Sequence, residues 1–345
     1  SLMKTTARDV AKAAGVSPAT VSLVFRNRPG IGKETRDRIF ACAQELGFEY
    51  AAHESARSTS TILLLVYKQH GKVVGDTPFF ESLTKSLSDA TYKYGYHRLS
   101  VSYFYAQEDK KEQINALKSV KCAGIILLAT EARADDIAQF ERLGVPIVLL
   151  DSWFPTKKLD SVAIDNSRGS WEAVRYFLAA GHTDIGYLHC GVTIRNFLER
   201  QEGFYSAMRS VDPESRSRLN IIRVGSTIES AYDDMKAYLE TNPKLCTAYF
   251  ADNDIVAVGC IRALVEHGVK IPDDVSIIGF DDTVYCKISN PPLTTMVVNK
   301  DAMGELAVKR LVELIKGTTN GEVVRISILP TIVERKSVKR LEHHS

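Results

Sequence analysis

The sequence predicts an α/β protein in two parts, a three-helix head and a larger body of two lobes, each built on a parallel sheet. Three observations carry this. Residues 1–47 show short apolar stripes of helical period separated by tight turn signals. From Thr61 onward, short β-branched runs alternate with amphipathic helical stretches. The 345 residues also exceed one ordinary domain of roughly 150 residues.

In the head, Thr6 with Asp9 three residues on is an N-terminal capping signature, and Val10, Ala11 and Ala14 form a stripe that stops at Gly15. Ser17 is the N-cap of a second helix, with Pro18 where a missing N–H is tolerated. That helix runs to about Arg26, with Val21, Val24 and Phe25 inward and Ser17, Pro18, Ala19, Ser22, Leu23 and Arg26 outward. Asn27-Arg28-Pro29-Gly30 breaks the chain, and a third helix over 33–46 turns Ile39, Cys42, Ala43 and Leu46 inward before Gly47 ends it. Helix, short Gly-containing turn, helix is the helix-turn-helix pattern, although a generic three-helix packing unit has the same spacing. Residues 1–47 hold eight Lys/Arg against four Asp/Glu, a charge of +4 that leaves −2 on the rest of the +2 chain. This fits an anionic polymer as partner of the head, or an ordinary solvated surface.

In the body, strands are expected over 62–67, 99–104, 123–128, 147–151, 161–165, 185–190, 221–224, 248–251, 275–281, 294–298 and 325–329. Helical periods fall between them, among others over 79–94, 113–120, 168–180, 228–241, 255–267 and 302–316. Near-continuous apolar strands of this kind belong to parallel sheets covered on both faces, and eleven are too many for one comfortable sheet.

Composition excludes several classes. With 45% apolar and 25% charged residues the chain reads as an ordinary globular protein, and no apolar run approaches the length of a membrane span. No export leader precedes the head, so a soluble, cytoplasmic protein is expected. Six scattered cysteines, without a Cys-x-x-Cys pair or histidines at ligand spacing, point to no metal site and a reducing compartment. Phosphate-binding loop, dinucleotide fingerprint and nucleophile elbow are all missing. Asp281 and Asp282 are neighbours that face opposite ways on a strand and so make no carboxylate pair, and His182 reads as a helix-end cap. Catalysis is not expected, and neither is a cofactor. What remains is ligand binding beyond the C-terminal ends of the strands, where Asp281 and Asp252-Asn253-Asp254 stand. Their side chains suit a hydroxyl-rich ligand, and helix N-capping by Asp252 or Asp281 is the competing reading.

Taken together these residues resemble the lac repressor/galactose repressor family of bacterial transcription regulators, over about residues 6–337. The resemblance rests on Asp9-Val10-Ala11, Ala14-Gly15-Val16-Ser17, Thr20-Val21-Ser22, Thr35-Arg36 and Glu45-Leu46-Gly47-Phe48 in the head. In the body it rests on Pro78-Phe79-Phe80, Asp165-Asn166, Gly181-His182, Arg200 with Gly203-Phe204, Asn253-Asp254, Pro272 to Ser276, Gly279 to Asp282 and Pro292 to Thr295. It implies a dimeric repressor with a helix-turn-helix DNA-binding head (1–48), a hinge (49–60) and a two-lobed body (61–340) like a periplasmic sugar-binding protein. By similarity the chain crosses between lobes three times, the first lobe taking about 61–180 and 296–322 and the second about 181–295 and 323–340. Double-stranded operator DNA and a small-molecule effector, most simply a sugar, are the implied partners. The expected DNA contacts are Ser17, Pro18, Ala19, Thr20, Ser22, Leu23, Arg26, Arg28, Lys33 and Arg57, with Arg26, Arg28 and Lys33 on phosphates. By family position Phe79 stacks on or packs against the effector, Arg200 donates to its oxygens, and Asn253 and Asp281 hold its hydroxyls. Asn253 and Asp281 are also cleft candidates by their place after apolar strands; Phe79 and Arg200 rest on the resemblance.

Two departures from the family pattern stand out. Leu23 occupies a recognition-helix position where many members carry Arg, so base readout is expected to be more apolar. The hinge lacks the usual Pro-Asn pair and its leucine, with Ser58 and Thr59 where a minor-groove wedge is expected, so either the operator kinks less or Tyr50 or another side chain supplies the wedge. A plain sugar-binding module of periplasmic type, its head an interaction domain, is the runner-up reading.

Overall fold

The computed structural model describes residues 5–26, 30–50, 60–75, 77–214 and 219–342. The head has helices α1 (Ala7–Ala14), α2 (Pro18–Phe25) and α3 (Lys33–Glu45). Thr6 and Asp9 form a reciprocal capping box, in which the Thr6 N–H donates to Asp9 Oδ2 at 2.8 Å, and Gly15 ends α1 at φ 66°. Ser17 Oγ accepts from the Thr20 N–H at 3.1 Å and so fixes the start of α2. Val10, Ala11, Ala14, Val21, Val24, Ile39, Ala43 and Phe48 form one small apolar core.

The body contains two six-stranded sheets. The first runs β11-β5-β4-β3-β1-β2, from Arg325–Ile328, Asp160–Ile164, Ile147–Leu150, Gly124–Leu128, Thr61–Lys68 and Arg98–Tyr105. The second runs β12-β10-β9-β8-β6-β7, from Thr331–Val333, Thr294–Val297, Ser276–Asp281, Ala248–Ala251, Ile185–Cys190 and Ile221–Val224. β3, β4, β5, β6 and β8 are buried along their whole length, as strands covered on both faces must be. Parallel pairing prevails, in registers such as Leu64↔Ile126 and Tyr187↔Phe250, and β12 joins β10 antiparallel at the edge of the second sheet.

The lobes divide the chain differently from the expected boundaries. β11 was expected in the second lobe but pairs with β5 of the first, Ile326 opposite Val162. The preceding helix, Lys300–Lys316, packs on the helix Pro78–Lys93 and covers the first sheet, so the open edge of β5 is the nearest one to accept the returning chain. Buried Arg310 fixes this return, its Nε donating to Asp160 Oδ1 at 2.8 Å while the Val324 N–H donates to the same oxygen at 3.0 Å. The helix Asn166–Ala179, expected in the first lobe, packs instead on Arg195–Val211 of the second. The lobe crossings therefore fall after β5, after β10 and between β11 and β12. The helical stretch over 79–94 begins one residue earlier, at Pro78. His182 is more than a cap: its backbone N–H donates to Phe177 O, and its buried ring lies 2.9 Å from Thr247 Oγ1 and 2.8 Å from the Lys339 carbonyl.

The contact between Asn166–Ala179 and Arg195–Val211 depends on Gly203. A Cβ there would stand 2.1 Å from the Ser167 carbonyl oxygen and 2.2 Å from Ser170 Oγ, and backbone atoms cannot step aside as a flexible side chain does. Gly203→Ala should therefore cost about 2 kcal/mol or more, read as a lower urea midpoint. Gly191→Ala, whose Cβ would meet nothing closer than 4.0 Å, should stay within about 0.5 kcal/mol of wild type. Equal midpoints for the two variants would contradict this packing.

Candidate ligand cleft and candidate nucleic-acid interface

The C-terminal ends of strands from both sheets open onto one cavity of about 360 Å3. Open parallel sheets take their ligands at this position. Phe79, Arg200, Asn253 and Asp281 all line it, so the four residues singled out in the sequence meet there.

Arg200 lies on the inward stripe of Arg195–Val211, with Asn196, Phe197, Gly203 and Phe204. It is 3% exposed, and burying a guanidinium is costly unless its donors are met. Its Nε donates to Asn166 Oδ1 at 2.9 Å, one terminal nitrogen donates to the Asp252 carbonyl, and the other stands 3.6 Å from Asp281 Oδ1. The guanidinium also lies over the Phe280 ring, 3.7 Å from its centroid. Two of its nitrogens are thus committed to the protein, and the one beside Asp281 is placed to serve a ligand.

Asp281 ends β9 with φ 106°, a strained conformation for a residue with a Cβ. Lys300 Nζ donates to its carbonyl at 2.8 Å and holds that turn. Burial raises the pKa of its carboxyl, against the opposing charges of Arg200 and Lys300. Of the competing N-cap readings, neither applies to Asp252 or Asp281. Asn253 is the cap, accepting from the Val256 N–H at 2.9 Å, which commits its Oδ1. Asp252 is fully buried: its Oδ1 accepts from Tyr187 Oη, and its Oδ2 accepts from the Cys190 N–H and lies 2.8 Å from His189 Nδ1. Phe79 is buried in the first turn of Pro78–Lys93, edge to face with Phe80 at 5.0 Å.

Several cavity residues escaped the sequence reading. Asp151 follows β4 with φ 64°, and its Oδ2 accepts from Thr130 Oγ1 at 2.7 Å and from Asn196 Nδ2 at 3.2 Å. Burial pushes its pKa up to about 7, against the Thr130 hydrogen bond and the Arg200 charge. It satisfies the same rule as Asp281, a polar residue at the C-terminal end of an apolar strand, and nothing else in the sequence singles it out. Thr77 Oγ1, Asp151 Oδ1 and Thr283 Oγ1 are buried without a hydrogen-bond partner among the described residues, and all three residues line the cavity. Native proteins rarely leave such atoms unmet, so they mark where ligand or water groups belong. The loop 69–75 forms another wall, bringing Gly71, Lys72, Val73 and Gly75 to the cavity. It wraps around the buried Glu131 carboxylate, whose Oε1 accepts from the N–H groups of Gln69, His70 and Gly71 at 2.8–3.0 Å. Its Oε2 accepts from Val73 and Val74 at 3.1 and 2.7 Å.

In the head, Ser17, Pro18, Ala19, Leu23, Arg26 and Lys33 are exposed, and Thr20 and Ser22 are half-buried. The Ser17 hydroxyl is engaged at the cap and lies 2.9 Å from Thr20 Oγ1. Leu23, on α2, is 41% exposed, an apolar side chain with no place in the head core. Tyr50 stacks on Phe25, centroids 4.9 Å apart and planes 9° from parallel, so its ring is already occupied and is not presented as a wedge. Arg28, Arg57, Ser58 and Thr59 lie outside the described residues.

Comparison with known proteins decides the family. Residues 6–49 match the bacterial regulatory proteins of the lacI family, and residues 174–338 match a periplasmic binding protein-like domain. The HTH-type transcriptional repressor PurR of Haemophilus influenzae is 30% identical over 345 residues, covering 97% of this chain and 99% of that protein. The HTH-type transcriptional regulator DegA of Bacillus subtilis is 32% identical over 308 residues, covering 88% of this chain and 89% of that one. The chain belongs to the LacI family of bacterial regulatory proteins. It is a transcriptional regulator, and its relatives are named as repressors and regulators rather than enzymes. Among solved structures, the transcriptional regulator CelR in complex with cellobiose matches with a TM-score of 0.70 and 25% identity, over 97% of this chain and 100% of that one. No helix among the described residues is long and apolar enough to cross a membrane.

In this LacI-family chain the Glu131 cradle makes a testable contribution. Burial alone would raise the Glu131 pKa, but the hydrogen bonds from Val74, His70, Gly71 and Val73 outweigh it and hold the carboxyl below the ordinary glutamate value. A depressed folded-state pKa gives stability that is complete above the unfolded value and is lost as pH falls through the folded one. Glu131→Gln replaces one acceptor oxygen by an NH2 facing two N–H groups, and should cost about 3 kcal/mol at neutral pH. The gap in urea midpoint should narrow as pH falls below about 4; a gap independent of pH would show that the charge of Glu131 is not what holds the loop.

Proposed function

We propose that this protein is a ligand-responsive repressor that binds a pseudo-palindromic operator as a homodimer in the cytoplasm, with a sugar or sugar derivative in the interlobe cavity setting its DNA affinity. The observation that carries the ligand part is the convergence of unmet polar atoms, Thr77 Oγ1, Asp151 Oδ1 and Thr283 Oγ1, on a cavity that also holds Arg200 beside Asp281. A polyol can donate to both carboxylates and accept from the guanidinium nitrogen beside Asp281 at once. Phe79, Phe80, Phe197 and Tyr285 supply apolar walls against which the C–H face of a sugar ring can pack. The cavity volume lies at the small-molecule end of the usual range of about 300–1,000 Å3. The cellobiose complex of CelR supports the same ligand class.

Two apolar surfaces favour a dimer. Val101, Tyr103 and Tyr105, 39–49% exposed, alternate along the edge strand β2 and therefore share one face. In the second lobe Val284 and Ile288 are 54% and 71% exposed at the short helix Tyr285–Ile288. Apolar side chains clustered in this way favour burial against a second copy, and a two-fold dimer reads a two-fold site. On the DNA side, exposed Leu23 offers methyl groups whose partner in the major groove is the thymine C5-methyl.

Selection from random-sequence duplexes with the full chain tests this reading. The expected product is an inverted repeat with thymine, or tolerance, opposite Leu23, bound with log K falling steeply in log salt at about 0.9 per neutralised phosphate. An asymmetric single site, a strict guanine opposite Leu23 or salt-independent affinity would overturn it.

A further inference from the structure

The loop 69–75 leaves β1 of the first lobe and returns to that lobe at the helix Pro78–Lys93. It is tied down there. Glu131 gathers five of its N–H groups onto one buried carboxylate, and the Gln69 carbonyl accepts from Gln107 Nε2 at 3.3 Å. Charged acceptors make the stronger hydrogen bonds, so the loop has little freedom to shift on its own lobe.

One side chain of this loop goes elsewhere. Val73 packs on the apolar core of the second lobe, which includes Leu188, Cys190, Ile194 and Val224. Among the described half-buried side chains seated on that core, it alone comes from the first lobe. The neighbouring residue gives a second sign of the crossing. Burial pushes the thiol of Cys190, at the end of β6, up to about 11, and the Lys72 charge acts against that rise. Lys72 and Val73 also line the interlobe cavity together with Ser226 and Thr227 of the second lobe.

An apolar side chain that is buried only while two lobes touch holds them together, because parting returns it and the patch beneath it to water. A slack loop would let the lobes part with Val73 still seated. One pinned at five amides does not.

We propose that the loop 69–75 is a strap that closes the cavity: pinned to the first lobe by Glu131 and seated on the second by Val73, it holds the lobes together before any ligand is bound. Ligand binding energy is then not needed to bring the walls into place, and the strap must lift for a ligand to enter or leave. That consequence rests on the cavity being the ligand site; the strap itself does not.

Pulsed electron–electron distance measurements on the ligand-free full chain test it. Spin labels go on two exposed residues, Lys118 of the first-lobe helix Lys110–Ser119 and Lys236 of the second-lobe helix Ile228–Glu240, with unlabelled protein in excess so that distances within one chain are read. Wild type should give one narrow interlobe distance. Val73→Asp sets a charge against the apolar core, where burial costs far more than exposure, and should move most of the population to a longer distance. Val73→Ala, the milder change, should favour the longer distance about tenfold over wild type and keeps the test available if the charge disturbs folding. Glu131→Gln, which slackens the strap at its other end, should broaden the distribution. A wild type already spread over both distances, or the wild-type distribution in the folded Val73 variants, would overturn the strap. Sugars that stabilise the protein while those distances stay fixed would keep the ligand site and remove the strap. Distances that shift while no sugar, sugar phosphate or nucleobase stabilises the protein would keep the strap and remove the ligand reading.

Discussion

A buried guanidinium needs a full set of partners, and the body of this protein is organised around meeting that need. Arg200 ties together the chain after β5, through Asn166, the end of β8, through the Asp252 carbonyl, and the end of β9, through Phe280 and Asp281. Asn166 in turn donates to Asn196 Oδ1 at 2.9 Å, and Asn196 donates to Asp151 at 3.2 Å. The result is a continuous polar chain from Asp151 at the end of a first-lobe strand to Asp281 at the end of a second-lobe strand. Removing one member leaves buried polar atoms unmet on both sides, which is why such networks hold one geometry firmly. Arg200 is therefore a structural element of the cleft as well as a candidate ligand contact, and its truncation would disturb packing and recognition together. The isosteric change Asp281→Asn is the cleaner probe of ligand binding.

The same network gives a physical route for control. The cavity is walled by residues of both lobes, and its unmet atoms are distributed between them: Thr77 and Asp151 on the first, Thr283 on the second. A ligand that satisfies all three binds one arrangement of the lobes better than another, and only such differential affinity shifts an equilibrium. Glu131 makes part of this wall rigid in advance by gathering five backbone N–H groups of the loop 69–74 onto one carboxylate. That arrangement reduces the ordering the ligand itself must impose.

Much of this was legible in the sequence, and the parts that were not share a cause. Apolar runs such as 124–128 and 147–150 announced strands because strands buried on both faces need uninterrupted apolar residues. Asp281 and Asn253 could be read as cleft residues because they follow such runs directly. The edge on which β11 lands could not be read, because its alternating pattern fits either sheet and the choice is made by the helix that precedes it. Glu131 gave no signal because its partners are backbone amides about sixty positions earlier, whose side chains are irrelevant to the contact. Arg200 was found only through family resemblance, since an arginine on an apolar helix face looks like an exposed residue until its partners are seen. Tyr50, where the chain enters the linker, could be read from sequence only as a candidate wedge, and the stack on Phe25 shows where the ring sits.

If occupation of the Arg200–Asp281 cavity and operator affinity are coupled, linkage makes the coupling measurable in both directions. A ligand is first chosen by thermal shift from sugars, sugar phosphates and nucleobases, as one that stabilises wild type but not Asp281→Asn. The operator Kd of the full chain is then measured with and without saturating ligand, and the ligand Kd with and without operator. Both should change by the same factor, of about 5 to 150. A ligand whose binding is lost in Asp281→Asn, yet which leaves the operator Kd unchanged in wild type, would contradict it.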